Sequence, residues 1–473
     1  MSGLMVTLET AKRTLLTCQV CVQTASHNIA NAESKDYARQ RVAQETSTPY
    51  QVRDTWLGAG ARIRSVVQVR NEFIERRLTA AVSKEADYRT RSTQLSLIEA
   101  TWADDGEQGL SQALGAFWDA WEALNRNPDG ISQKALVEEA VQSLVDRVRD
   151  AYRGMTEIAV GIESEAKSGV TKVNGLLEAV AAYNEQIMKA ESTGQPANDL
   201  RDLRYEKVQD LAELIPVRWD EEDNGTLTLR VTDYGSDITL VSAGDFGSLV
   251  YDDANHRVTY RDYQGTAVPD DPTLQNELSG GKLAGLLSVY NLAGNQHDLS
   301  FVQANPDAAE LTYLDRLNAF AAALITEVNA IHRQGGGSVV FDDSVLGEDF
   351  KASDLAVDAN FVVNSAQALE IADLQSHRFS GLPGESNLGN ATFLEYLGRI
   401  QEQVGLDRQD SLSWADFQAT LLNRLQEEQQ SVSGVSIDEE MVDLIKFQQI
   451  YQAAAKVISH AAEMLDTAIE MVG

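Results

Sequence analysis

Three groups of residues in this chain have types and spacings that could serve chemistry. Cys18-x-x-Cys21 has the spacing of a redox dithiol or of half a zinc site. Structural zinc needs four thiolates, or two with two histidines. These are the only two cysteines in 473 residues, and no His-x-x-x-His pair exists to complete a site. Both fall inside a helical apolar period, where two small buried side chains are the plainer reading. Gly280-Gly-Lys282 has part of a phosphate loop, but Asn276 and Leu283 stand where that pattern needs glycine and a hydroxyl. His27, Asn28 and Asn31 would suit an active site, a turn or a subunit contact. No nucleophile or acid–base partner accompanies them, and the His-Glu-x-x-His, Gly-x-Ser-x-Gly and Gly-x-Gly-x-x-Gly patterns are absent. Asp104-Asp105 and Asp342-Asp343 are neighbours whose side chains point apart, and the six histidines, far apart in sequence, suit surface or capping positions. No catalytic residue, metal or cofactor is expected.

Composition narrows the classes further. The formal net charge is −33, yet residues 1–93 carry 14 basic against 9 acidic side chains, and the remainder 25 against 63. So negative a field argues against a nucleic-acid partner, whose phosphates need a basic face, and the basic charges of the start are interleaved with acids as on a solvated face. No apolar run approaches the ~18 residues of a membrane span. The opening residues also lack the basic start and apolar core of a cleavable signal.

The elements that must position the polar cluster are two long helices. Leu4, Leu8, Ala11, Leu15, Cys18, Val22, Ala25 and Ile29 alternate in steps of four and three, a heptad seam. Ile437, Met441, Leu444, Gln448, Tyr451, Ala455, Ile458, Ala462, Leu465 and Ile469 repeat the device at the other end, after a hinge at 431–435. Ser436 with Glu439 forms a capping box there. Strict heptads at both ends predict terminal helices paired as a coiled coil, within the chain or between copies. Asn28 and Asn31 would end the first helix and turn the chain, satisfying freed backbone groups.

Between the ends, 38–70 reads as extended. Helices are expected at 71–103, 109–125, 132–192, 199–215, 282–294, 307–332, 391–404 and 413–430. Short strand candidates crowd 217–263, with Asn224-Gly225 as a hairpin turn. The fold class is mainly α with a small β insert. The expected domains are a coiled coil of 1–37 with 436–473, a helical middle of 38–215 with 282–435, and a β domain at 216–281.

These motifs resemble bacterial flagellar axial proteins, whose first helix ends in Asn-Ile-Ala-Asn-Ala-x-Thr-x-Gly-Tyr-x-Arg. Asn28-Ile-Ala-Asn31-Ala and Tyr37-Ala-Arg39 match it, while Glu33-Ser-Lys-Asp36 replaces the usual turn. Ser433–Met441, Phe447–Ile458, Glu463–Thr467, Leu124–Pro128 and Ser279–Gly285 look closely like the FlgK-type hook-associated family. The middle is short for that family. The resemblance implies a structural role at the hook–filament junction and export as an unfolded chain without a cleavable signal. It implies a chaperone on the C-terminal region, and ring-like self-assembly through the terminal helices between the hook protein and the next hook-associated protein. A rod or hook protein would share both end motifs but have a mostly β middle. An acidic multidomain enzyme is the reading from a different class.

Overall fold

The computed structural model describes all residues except 1, 35, 53–54, 103–108, 193, 234–235, 266–277, 295–296, 307, 309–310, 382–384 and 471–473. The Asp104-Asp105 pair and Asn276 therefore lie outside the described residues.

The apolar periods become long helices. α1 (Ser2–Ala30) and α11 (Ile437–Glu470) contain no proline and pack against each other along their length. They run antiparallel, because Asn28 near the end of α1 bonds Glu440 in the first turn of α11. The extended stretch is a ribbon of β1 (Gln40–Thr46) and β4 (Ala61–Gln68), antiparallel with an irregularity after Ala43. A second small hairpin, β2 (Tyr50–Val52) with β3 (Thr55–Leu57), caps its far end. The ribbon lies along α1.

α2 (Glu72–Trp102), α3 (Leu110–Arg126), α4 (Ile131–Glu191) and α5 (Asn198–Leu214) follow within a residue or two of their expected bounds. α4 has 61 residues, roughly 90 Å at 1.5 Å per residue. No proline interrupts the chain between Pro128 and Pro196. Its buried stripe, from Val137 and Val141 to Val180 and Ile187, keeps one face inward throughout.

Three expected helices differ. The stretches 391–404 and 413–430 are one 41-residue helix, α10 (Phe393–Ser433). Gly405 weakens it locally, but α2 packs alongside and no proline enforces a break. The expected 307–332 helix starts later, as α8 (Tyr313–Gln334). Thr312 and Asp315 form a capping box there, and a short α7 (Leu299–Ala304) precedes it.

The β segment is a four-stranded antiparallel sheet, β5 (Arg218–Glu221), β6 (Leu227–Asp233), β7 (Ser236–Ser242) and β8 (Asp245–Phe246), beside a β9 (Ser248–Asp252) and β10 (Arg257–Arg261) ribbon. Gly225, at φ +80°, supplies the expected turn. The sheet does not enclose a core of its own. Leu229, Val231, Leu240 and Val258 join the same buried cluster as Val173, Leu177 and Val180 of α4 and Leu283 and Leu286 of α6 (Gly281–Ala293). It is a layer on the helical domain.

Asparagines on the helices fasten the extended segments. Asn184 of α4, fully buried, donates to the Leu227 and Ala243 carbonyls at 2.8 Å each and accepts from Leu227 N–H at 2.9 Å. Asn174 pairs in the same way with Leu249, at 2.9 and 2.8 Å. On α8, Asn329 donates to the Phe341 carbonyl and accepts from Val340 and Phe341 N–H, at 2.8, 2.9 and 3.0 Å. His332, expected at a surface or capping position, is 1% exposed. Its Nδ1 faces the Ser338 carbonyl and its Nε2 accepts from Asn364 N–H at 3.3 Å. That pattern fixes a neutral tautomer, and burial lowers the pKa of the ring. Short α9 (Ala368–Asp373) and the pair β11 (Phe379–Ser380) and β12 (Asn387–Ala391) complete the fold.

Two outcomes follow. Asn184→Leu orphans two buried carbonyls and one N–H, and also removes an acceptor from Arg204. It should cost about 3 kcal/mol or more in urea denaturation followed by circular dichroism. A histidine whose folded pKa is depressed contributes stability that is present above about pH 6.5 and is lost as pH falls through the folded value. Wild-type stability should therefore fall more steeply than that of His332→Asn between pH 7 and pH 5. Parallel slopes would remove His332 as the cause.

Candidate functional site: where the two chain ends meet

The site is built on the last turn of α1, the turn after it, the start of β1 and the first turn of α11. Asn28 is 1% exposed, and both ends of its carboxamide are in use. Nδ2 donates to the Gln40 carbonyl at 2.9 Å and to Glu440 Oε2 at 3.1 Å. Oδ1 accepts from Gln40 N–H at 3.0 Å and from the Tyr37 hydroxyl at 2.8 Å. Two donors and two acceptor lone pairs are all that an asparagine offers.

Because Tyr37 gives its proton to Asn28, the contact between His27 Nδ1 and the Tyr37 oxygen at 2.9 Å assigns the proton of that bond to the imidazole. Burial, with Asp199, Asp202 and Glu440 nearby, drives the Tyr37 phenol far upward, so it stays a donor. Asn31 ends the helix as expected: its backbone and side-chain N–H groups both reach the His27 carbonyl, at 3.1 and 3.0 Å.

Arg39 completes the knot. Its N–H donates to the Ser433 carbonyl at 2.9 Å, its own carbonyl accepts from Val69 at 2.8 Å, and its guanidinium reaches Glu440 at 2.7 Å and Glu439 at 2.8 Å. Glu440 is 4% exposed. Its two oxygens take Asn28 and Arg39, so a buried carboxylate is both paired and hydrogen-bonded. The expected capping box is only half made. Ser436 Oγ accepts from Glu439 N–H at 3.4 Å, while the Glu439 carboxylate turns to Arg39.

A second knot ties this region to the helical domain, and nothing in the sequence marked it. Arg70 reaches Asp202 of α5 at 2.5 Å and the Asp36 carbonyl at 3.0 Å, and stacks 4.3 Å over the Tyr205 ring. It also lies 3.7 Å from Glu75 of α2, whose other oxygen accepts from Gln429 of α10 at 2.9 Å. Burial pushes the Asp202 carboxyl up to about 6, against the pull of Arg70.

The seam residues divide. On α1, Ala11, Cys18 and Ala25 are buried, and Leu4, Leu8, Leu15, Val22 and Ile29 are half-buried along the contact with α11. Burial raises the pKa of both cysteine thiols. On α11, Leu444, Ala455, Ile458 and Leu465 are half-buried, but Met441, Tyr451 and Ala462 are exposed. The Ile469 side chain lies outside the described residues. The inward heptad is Glu440, Phe447, Ala454 and Ala461, one residue from the expected series through 441, 448, 455 and 462. One residue is about 100° of helix, enough to turn Met441 outward. The spacing of small residues, 454 to 461 on α11 and 11 to 18 to 25 on α1, was the available signal.

Lys282, of the partial phosphate loop, pairs with Glu165 at 2.5 Å. Among the described residues, no group of three or more His, Cys, Asp or Glu is placed to hold a metal ion, and no helix is long and apolar enough to cross a membrane.

The arrangement holds a helix pair on a helical domain, and the comparisons place both parts. Residues 95–350 match the family model of the flagellar hook-associated protein FlgK helical domain, over more than half of the chain. The chain belongs to the FlgK family. Residues 428–471 match the model of the flagellar basal body rod FlgEFG protein C-terminal region. It is 24% identical over 509 residues to flagellar hook-associated protein 1 of Bacillus subtilis, covering 98% of each chain. It is 22% identical over 548 residues to flagellar hook-associated protein 1 of Salmonella typhimurium, covering 96% of this chain and 97% of that one. The solved flagellar hook junction protein FlgK from Burkholderia pseudomallei overlaps 56% of this chain and 46% of its own, at 20% identity and a TM-score of 0.45.

Asn28→Asp tests the knot. It keeps the acceptor, removes both donors and sets a carboxylate against Glu440. The expected loss is about 3 kcal/mol, confined to the terminal region. Hydrogen exchange should show faster exchange in α1 and α11 with α4 unchanged, and Asn28→Asp with Glu440→Gln should recover part of it.

Proposed function

We propose that this chain is a structural subunit of the junction between flagellar hook and filament, assembling into a ring through its terminal helices. The hook protein lies on one side and the next hook-associated protein on the other. An export chaperone holds the C-terminal region beforehand, and the chain leaves the cell through the flagellar export route without a cleavable signal. No catalytic step belongs to this reading.

The observation that carries it is the surface of α11. Ile450, Val457 and Met464 recur every seven residues beside the α1 seam, 38%, 43% and 59% exposed, with Met441 and Tyr451 open on the other flank. A helix apolar beyond the face its own partner covers has surface to offer a neighbour. The expected assembly positions thus split in role: the α1 series and Ile458 close the pair within a copy, while Met441 and Tyr451 face the next.

The test is Val457→Asp. In the free chain this residue is exposed, so the melt should move by no more than about 0.5 kcal/mol. Burying the new carboxylate at every repeat of a ring costs several kcal/mol per copy, so cells carrying only this variant should lack filaments. Labelled-antibody electron microscopy of wild-type flagella should place the chain at the hook tip. Normal filaments from Val457→Asp would reject this flank as the assembly surface.

A further inference from the structure

The uneven charge of the sequence has a structural counterpart that the helix seam does not use. Several cations of residues 1–93 are already paired within the chain: Arg39 with Glu439 and Glu440, Arg70 with Asp202, Arg76 with Asp220, and Arg91 with Asp87. Arg41 of β1 and Arg64 of β4 are different. Both are exposed, and among the described residues neither has an ion-pair partner. The other side of the ribbon is occupied, since Val42, Ile63 and Val66 are half-buried where it meets α1, and Asn198 donates to the Val66 carbonyl at 2.9 Å.

An unused acidic patch flanks Gly434, where α10 passes into α11. Glu427, Glu428 and Asp438 are exposed, and among the described residues they too lack ion pairs. Asp438 is two residues before the buried Glu440, about 200° round the helix, and so faces away from α1. The two patches belong to one chain but do not pair in it.

Their heights match. Asn28 binds both Gln40 and Glu440, which fixes the base of the ribbon level with the first turn of α11. Arg41, next to Gln40, therefore lies near the level of Asp438 in that first turn, and in copies standing side by side the two can meet. We propose that Arg41 and Arg64 of one copy dock on Glu427, Glu428 and Asp438 of a second copy of this chain. This rests on the junction-ring reading and supplies it with a direction. Two different patches make a head-to-tail contact, which closes into a ring when the rotation allows. Opposite charges between exposed groups also set register and partner choice more than raw affinity.

The experiment is a charge swap in cells lacking the wild-type protein, scored by the fraction of cells bearing filaments. Arg41→Glu with Arg64→Glu should reduce it about tenfold, the equivalent of roughly 1.4 kcal/mol per contact. Glu427→Lys, Glu428→Lys and Asp438→Lys together should do the same, and all five changes combined should restore it. Thermal melts of the purified variants should match wild type, because every site is exposed. Arg41→Gln with Arg64→Gln, which adds no repulsion, should show a smaller loss in the same direction. Unchanged filaments in either reversed set, or no rescue in the combination at unchanged melts, would overturn the contact while leaving the ring reading intact. Failure of the wild-type gene itself to restore filaments would instead remove the ring reading, and this contact with it.

Discussion

A strand edge laid against a helix leaves backbone N–H and C=O groups that water cannot reach, and each one left unpaired costs about 1–3 kcal/mol. The rest of this structure depends on how that demand is met. Four asparagine carboxamides, Asn28, Asn174, Asn184 and Asn329, sit on helices and present a donor and an acceptor side by side, the same pair that a peptide group presents. Each grips a short stretch of extended backbone: Gln40, Leu249, Leu227, and Val340 with Phe341. Glutamine could carry the same groups, but on a longer and less restrained side chain. Aspartate would lose the donor. The long helices thereby acquire defined lateral attachment points for a ribbon, a sheet and a loop.

At Asn28 the device is extended to join the two ends of the chain. Its remaining donor goes to Glu440, and Glu440 in turn receives Arg39, whose backbone holds the last turn of α10 and the residue after β4. Apolar packing alone would let α1 and α11 slide past each other, because a heptad seam of Ala, Cys and Leu looks similar after a shift of seven residues. A polar contact made at one height only forbids the shift, since the wrong register would bury Glu440 without its partners. Specificity of register is thus set by hydrogen bonds, and affinity by the small-residue seam.

How much of this was legible follows the same division. The seam of α1, the strand-rich segment with its Asn-Gly turn, the hinge before α11 and the motif running from Asn28 to Arg39 are local patterns, and each is visible in sequence. The inward series of α11 lies one residue from the apolar heptad, because the exposed Met441 is apolar and the buried Glu440 is charged. A buried carboxylate shows its place only once Arg39 and Asn28, some 400 residues away in sequence, are known to meet it. The second knot at Arg70, Asp202 and Glu75 was invisible for the same reason. The long irregular stretch after α8 follows no periodicity, being held by Asn329 and His332 rather than by pattern. The continuity of α10 comes from α2 packing alongside it, which no local pattern carries.

The remaining surface of α11 explains why such a fixed register would matter. An isolated pair of helices with a narrow small-residue seam buries little apolar area, and helices of this kind gain most of their stability from further packing. The stripe of Ile450, Val457 and Met464 lies immediately beside that seam, so its position relative to a neighbour is set by the same one-residue precision that places Glu440 inward. A slip within a copy would rotate or displace the stripe and present a neighbour with the polar side of the helix instead. The knot at Asn28 thus acts on the outer surface through the inner one: by fixing how α11 lies on α1, it fixes which side chains a second copy meets, and at what height.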